Sequence, residues 1–445
     1  MHLTRNKRKT VVLFALVGAL LVSLAGLLGG QLELGNGATA QPDPDAAEQR
    51  VEPEVSQLEP LVQGNTAFAL DLYDQLAAQA PQANHFVSPL SISMALAMTW
   101  AGARGDTEAA MAETLAFPFE QDRLHAAFNA LERQIRKRSN TESEAEQSRQ
   151  GQPLELNIAN ALWPQKGLKV RDAFLNTLAA HYGARPVPLD FGAPSQASRT
   201  INDWVAKATE DRIDDIVSPR ALRRARLVLT NAIYFHAGWL HPFDEASTRE
   251  ATFTALDGST GMVPMMSQAE SFPYARVDGH QLVELPYAGR DTSLIAILPA
   301  EGQFESFEAV LDAERLEALL SQLSAQQGRV ELPRFELKTD YHLNRTLKAL
   351  GMDVAFEPAA NFSGMVEGGG LHIGDVFHDA FVRVDEQGTE ATAATAVVME
   401  VSAPPTGQFE LTFDRPFLFL IRDQSTGSVL FLGRVVNVPP APQPQ

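Results

Sequence analysis

Cysteine is absent from all 445 residues of this chain. That excludes disulfides, zinc–thiolate sites, iron–sulfur clusters, thiol nucleophiles and any lipid anchor built on a cysteine. No Gly-x-Ser-x-Gly elbow occurs, so a serine hydrolase has no support. No repeat of fixed period is visible, which argues against solenoids and propellers. Positive charge is scarce: 36 Lys and Arg stand against 55 Asp and Glu, a formal net charge of -19. Such a field repels phosphate backbones, and nucleic acid is not an expected partner. His236 and His241 flank Gly238-Trp239, but no third ligand is placed beside them. They read as surface histidines, and neither a metal nor another cofactor is expected. Gly368-Gly369-Gly370 with Gly374 lacks the strand–glycine–helix context of a phosphate loop and reads as a turn.

What is present is ordinary globular material, 45% hydrophobic and 20% charged, enough for a large core. Arg5, Lys7, Arg8 and Lys9 precede an apolar run at residues 11–29 without a charged side chain. A basic flank followed by an apolar stretch is an export signal, with the basic side left inside. Ala38-Thr39-Ala40 offers a small-x-small cleavage site before Gln41, while the run is also long enough to span a bilayer. Residues 1–40 therefore read as a signal peptide or a membrane anchor, and the folded part lies outside the cytoplasm. Residues 41–60, rich in Pro, Asp, Glu and Gln, read as a flexible linker. The globular domain is expected over 61–438, with a short tail at 439–445.

Periodicity gives helices first and strands later. Asn65 is a plausible N-cap for Phe68, Leu72 and Leu76 at helical spacing. Ser88 as N-cap with Pro89 at the first helical position starts a second helix that runs towards Gly102. Asp106 opens a third, and a fourth carries Ala127, Leu131 and Ile135. It ends in Arg136-Lys137-Arg138, a solvated face with recruitment of a polyanion as the sharper alternative. Further helical patterns follow at Phe174 to Tyr182, at Ile201 to Ala208 and at Leu343 to Leu350, the last closed by Gly351. Period two marks strands from Leu154 and at 377–385, an apolar, β-branched-rich run marks one over 226–235, and short strand-like runs follow at 281–285, at 292–298 and over 329–337. The fold class is α+β with antiparallel sheets.

Residues 386–405 fit neither pattern, and an irregular segment of that length in a compact domain is functional or disordered. Between Thr389 and Ser402 there is no Gly and no Pro, so nothing forbids a strand. Thr389, Ala391, Ala393, Thr395 and Val397 would share one small, mostly apolar face that slips between strands without overpacking. Glu390, Thr392, Ala394 and Ala396 would share the other. Gly388 supplies backbone freedom where a hinge needs it. Insertion would add on the order of ten backbone hydrogen bonds at about 1 kcal/mol net each. A loop of this composition held outside the sheet stores energy for release.

These residues resemble the serpin family, and the resemblance runs from Asn65 to Asn437. It is carried by Asn84-His85-Phe86-Val87-Ser88-Pro89-Leu90-Ser91-Ile92, by Leu229-Thr230-Asn231-Ala232-Ile233-Tyr234-Phe235, and by Gly238-Trp239 with Pro242-Phe243-Asp244. Leu332-Pro333-Arg334-Phe335, Glu386-Gln387-Gly388-Thr389-Glu390-Ala391, Asp414-Arg415-Pro416-Phe417 and Phe431-Leu432-Gly433-Arg434 complete it. The resemblance implies about nine helices and three β-sheets, with an exposed reactive-centre loop that inserts into a central sheet. It implies a monomer that traps a serine protease, occasionally a cysteine protease, as an acyl-enzyme when the cleaved loop inserts. By motif, Glu386, Gly388, Thr389, Glu390, Ala391, Thr392, Ala393, Ala394, Thr395 and Ala396 are the hinge. Ser88, Ser91, Asn231 and His378 match the shutter that controls opening, and Trp239 and Asn160 match positions near the top and middle of the sheet. Counting from Gly388 puts the reactive bond between Ser402 and Ala403, with Val401 and Met399 as fallbacks. Counting back from Arg415-Pro416-Phe417 lands nearer Pro405. A small residue at the bond suits elastase-like or subtilisin-like proteases rather than trypsin-like ones. A serpin-fold binding or carrier protein that does not inhibit is the alternative.

Overall fold

The computed structural model describes residues 58–139, 155–389 and 409–437. Nine α-helices occur among them, five before residue 183. The strands are β1 (His85–Val87), β2 (Glu155–Pro164), β3 (Leu227–Gly238), β4 (Arg249–Thr254), β5 (Thr260–Val277), β6 (His280–Pro286) and β7 (Thr292–Leu298). They continue as β8 (Ser324–Pro333), β9 (Phe335–His342), β10 (Asp375–Val384), β11 (Gly388–Thr389), β12 (Phe409–Thr412), β13 (Phe417–Asp423) and β14 (Val429–Val435).

Two hydrogen-bonded networks result. One has five strands in the order β2-β3-β11-β10-β9, and the other nine, β1-β14-β13-β7-β6-β5-β8-β12 with β4 on β5. The 18-residue β5 explains why the larger network is one. Its first part pairs with β4 and β8, and from Tyr274 onward it passes to β6. Divided there, the larger network is two sheets, and the total is the three that the resemblance implies.

The Pro89–Trp100 helix lies between the networks, and all its residues are buried. That follows from a sequence apolar on every side, broken only by small hydroxyls. Ser88 caps it, accepting the Ser91 N–H. Phe86 stacks on Phe431 at 5.0 Å beneath it.

Three sequence expectations need correction. The first helix begins at Leu58 and runs to Gln79, so the linker does not reach residue 60. Pro60 falls in the first turn, where a missing N–H costs nothing. Asn65 is therefore interior, and its Oδ1 accepts Ser93 Oγ at 2.8 Å. The run 329–337 is two strands in different networks, because Pro333 ends β8 and Phe335 starts β9. The helix near Leu347 passes into a π-turn at Lys348–Met352, with Gly351 at φ 114°.

Arg434 on β14 is 1% exposed. Its guanidinium donates to both Glu308 oxygens at 2.8 and 3.0 Å and to the carbonyls of Ala80, Pro81 and Ala83. It ties the end of the first helix to the core. Arg434→Met should cost about 3–5 kcal/mol in chemical denaturation, because Glu308 is left without its cation. Adding Glu308→Gln should recover part of that loss.

Candidate functional site

β3 and β10 are parallel neighbours, paired from Val228–Ile233 against Asp375–Ala380. Towards Gly238 they part, and Gly388–Thr389 fills the gap antiparallel to both. Thr389 lies opposite Ala237 and Val384, and Gly388 opposite Gly238. The chain thus leaves β10, turns, and starts back between the two strands it would have to separate.

The turn is held at every residue. Asp385 Oδ1 accepts the N–H groups of Gln387 at 3.0 Å and Gly388 at 3.3 Å, and the Asp385 N–H donates to the Gly388 carbonyl at 2.9 Å. Burial pushes the Asp385 carboxyl up, and those N–H bonds pull it back. The buried Glu386 carboxylate pairs with Arg334 and accepts the Thr248 hydroxyl at 2.5 Å. Trp239 donates its N–H to Gln387 O at 2.9 Å and its indole N–H to Asp385 O at 2.8 Å. Its ring stacks on Tyr287 at 4.7 Å, and the Tyr287 hydroxyl lies 2.6 Å from Thr389 Oγ1. Thr389 is fully buried. A side chain at Gly388 would collide with the Ala237 carbonyl oxygen and lie 2.7 Å from Gly238 Cα. Glycine is needed here for close approach, not for positive φ.

Below the gap the two strands are joined by side chains. The Ser88 N–H donates to His378 Nε2 at 3.1 Å. That leaves Nδ1 as the protonated nitrogen, which donates to Asn231 Oδ1 across β10 and β3. The Asn231 amide donates to Ser91 Oγ and Asn160 Oδ1. Asn160 Nδ2 returns a bond to Ser91 O at 3.2 Å, and Ser88 Oγ donates to Leu430 O at 2.8 Å. Ser88, Ser91, Asn160, Asn231 and His378 therefore form one network spanning β2, β3, β10 and the capped helix. Asn160, read from sequence as a sheet position apart, belongs to it. Trp239 sits at the other end of β3, on the hinge turn.

Burial drives the His378 pKa down to about 3. Its neighbour Asp379 faces the opposite way, buried beside Asp340 on β9. Burial, then the Asp340 charge, pushes its carboxyl up to about 8. One strand thus carries a histidine held neutral and a carboxyl held protonated on successive residues.

Among the other sequence-predicted residues, Glu386, Gly388 and Thr389 are placed as above. Glu390, Ala391, Thr392, Ala393, Ala394, Thr395, Ala396, Met399, Val401, Ser402 and Ala403 lie outside the described residues, as does the 11–29 run. His236 is not at the surface: it is buried on β3, its Nδ1 4.0 Å from Glu155, because every residue of β3 is covered. His241 is half-buried. No group of three His, Cys, Asp or Glu able to hold a metal occurs among the described residues. Arg136 is engaged by Glu132 at 2.8 Å one turn back. Sequence reasoning missed Tyr287, Arg334 and Thr248, which reach the hinge from distant elements. The Leu332-Pro333-Arg334-Phe335 motif was the one available signal.

Comparison with known proteins supplies the frame for this geometry. The family model described as serpin (serine protease inhibitor) matches residues 63–438. An uncharacterized serpin-like protein of Thermococcus kodakarensis is 39% identical over 97% of this chain and 99% of its own length. The leukocyte elastase inhibitor of Bos taurus is 36% identical, over 85% of this chain and 99% of its own. Human thyroxine-binding globulin complexed with thyroxine superposes with a TM-score of 0.75 at 31% identity, covering 85% of this chain and 99% of its own.

Two expectations follow from the site itself. Gly388→Ala should expel Thr389 from the gap at a cost of about 1–3 kcal/mol, seen as faster hydrogen exchange at Thr389 and altered Trp239 fluorescence. His378 titrates near 3 when folded against an ordinary 6.5, so between these values the unfolded chain binds the extra proton and stability rises with pH. The contribution is complete above about 6.5 and is lost as pH falls towards 3. Buried His85 and His125 act in the same sense. His378→Gln should remove about 3 kcal/mol of the decline between pH 6.5 and 4. An unchanged acid profile in that variant would contradict the assignment.

Proposed function

The chain belongs to the serpin family, and on that premise we propose that it is an irreversible suicide-substrate inhibitor of serine proteases of elastase, chymotrypsin or subtilisin type. The observation that carries this reading is Gly388–Thr389 seated between β3 and β10. Parallel pairing is slightly weaker per residue than antiparallel pairing. A strand inserted from Thr389 onward would exchange one parallel ladder for two antiparallel ones. Each further loop residue steps back one position along β3 and β10. Thr395 then arrives between Asn231 and His378, where its hydroxyl replaces the bond that tied the strands. Ala394 arrives beside the buried Asp379. Ala391 and Ala393 follow Thr389 on the buried face, while Glu390, Thr392 and Ala396 take the other.

In this reading the protease serine attacks the Ser402 carbonyl. The bond to Ala403 breaks, the Ala403 amine leaves, and the acyl ester is carried with the loop before water can cleave it. Val401 and Met399 are the alternative acylation positions. The chain acts as a monomer beyond the cytoplasm, secreted or tethered through residues 11–29. The kinship with a protein named leukocyte elastase inhibitor supports protease inhibition. The likeness to thyroxine-binding globulin keeps a carrier function as the second reading.

Incubation with elastase, chymotrypsin and subtilisin separates the two on denaturing gels. Inhibition predicts an SDS-stable complex, with mass spectrometry placing the acyl bond at Ser402. Clean loop cleavage without a complex or a gain in thermal stability would favour the carrier. Thr389 already fills a fully buried position between β3 and β10, so Thr389→Arg would leave an unpaired guanidinium at the entry of the gap and should raise the stoichiometry of inhibition roughly tenfold or more, turning inhibitor into substrate.

A further inference from the structure

The far end of the five-stranded sheet, where β2 ends and β3 and β10 begin, carries basic residues that this reading leaves without a role. Arg220, Arg223, Arg224 and Arg226 crowd one short segment of a chain with net charge -19. Ala221–Arg224 is a 3-10 turn, in which side chains three apart eclipse, so Arg220 and Arg223 stand on one face. Leu222 and Ala225 are buried and anchor the turn. The Arg226 carbonyl accepts the Gln165 N–H at 2.8 Å, which brings Lys166 alongside. Arg220, Arg223, Arg226 and Lys166 are exposed. No ion pair joins these three arginines to a carboxylate among the described residues. Of the acids at this end, Asp375 bonds His342 at 2.6 Å and Glu357 pairs with Lys348 at 3.7 Å, while Asp190, next to the Leu189 that accepts the Lys166 N–H, takes the Gly192 N–H.

The strand register says what would meet them. Thr389 faces Ala237 and Val384, so a residue thirteen further on, Ser402, would stop level with residues 224 and 371. Those positions lie just beyond the first residues of β3, Leu227, and of β10, Asp375. A protease esterified to Ser402 would come to rest against the arginine turn. We propose that Arg220, Arg223 and Arg226 form the resting surface for the trapped protease, and that the partner they fit is a serine protease with an acidic surface. This rests on the inhibitory reading above.

β3 has 12 residues, so the arginines lie about 40 Å from the hinge end of the strand. Salt screens charge within about 8 Å at physiological ionic strength. The cluster therefore acts after the loop has inserted, on the partition between trapping and turnover and on the lifetime of the complex. It does not act on the first encounter.

The test compares wild type with Arg220→Glu/Arg223→Glu/Arg226→Glu, using an acidic-surfaced subtilisin and a basic-surfaced elastase. The corresponding triple Gln variant, with its thermal melt, separates charge from misfolding. Against the subtilisin, the Glu variant should shorten complex lifetime about fivefold and raise the stoichiometry of inhibition, with the association rate unchanged. The Gln variant should fall between, and the elastase complex should not be shortened. Equal lifetimes for wild type and the Glu variant with subtilisin would overturn the proposal. So would heparin binding lost in the Glu variant with lifetimes unchanged, which would make the surface a polyanion site. Failure of wild type to form any SDS-stable complex would instead remove the inhibitory reading, and this role with it.

Discussion

The bond from His378 Nδ1 to Asn231 Oδ1 joins β10 to β3 at the point where the proposed insertion would part the sheet. It exists in one form only. Ser88 spends its backbone N–H on Nε2, so the proton has to sit on Nδ1 and the imidazole has to be neutral. A helix N-terminus thereby dictates the tautomer of a side chain on a remote strand. The serine that caps that helix is the same residue, and its hydroxyl is anchored to β14. Helix capping, sheet closure and the register of the second network are thus one connected set of bonds. Loss of any one leaves a buried polar group unpaired, which costs more than the bond itself is worth.

Against this lock stands the wedge. Thr389 is already inside the sheet, fully buried and bonded to Tyr287. Trp239 and Arg334 clamp the turn that delivers it. Among the described residues, β3 and β10 are parted by Gly388–Thr389 at one end. At the other end they are held by direct pairing of Val228–Ile233 with Asp375–Ala380 and the side-chain network beneath it. A balance of this kind is bistable, because packed strands have discrete registers and no intermediate opening satisfies the backbone.

Much of this was legible in the residues. The helix at 89–100 could be read from Ser88 as its N-cap and Pro89 at its first position. Strand alternation at 377–385 placed His378 and Asp379 on opposite sides, as they are. Of the small-residue face that starts at Thr389, Thr389 is buried and the rest lies outside the described residues. What could not be read was anything that depends on two distant segments meeting. Tyr287 under Thr389, Arg334 on Glu386, and Asn160 joining Asn231 are separated by 71 to 102 or by 52 positions in the chain. No local period encodes them. The buried His236 was misread for the same reason: a strand covered on both faces has no alternation to reveal which side is wet.

Asp379 shows why lock and wedge must be tuned together. Its carboxyl is held protonated between a covered surface and the Asp340 charge, one residue from a histidine held neutral. Neither group carries charge near neutral pH, so β10 can slide away from β3 without separating an ion pair. An ion pair at this position would have resisted opening by several kcal/mol, since breaking a buried pair leaves a charge uncompensated. Uncharged hydrogen bonds between the same strands cost about 1 kcal/mol net each to exchange, and an incoming strand that carries hydroxyls can replace them. For the proposed strand insertion, suppressing charge on β10 by burial keeps the lock specific in geometry yet weak enough to be overcome.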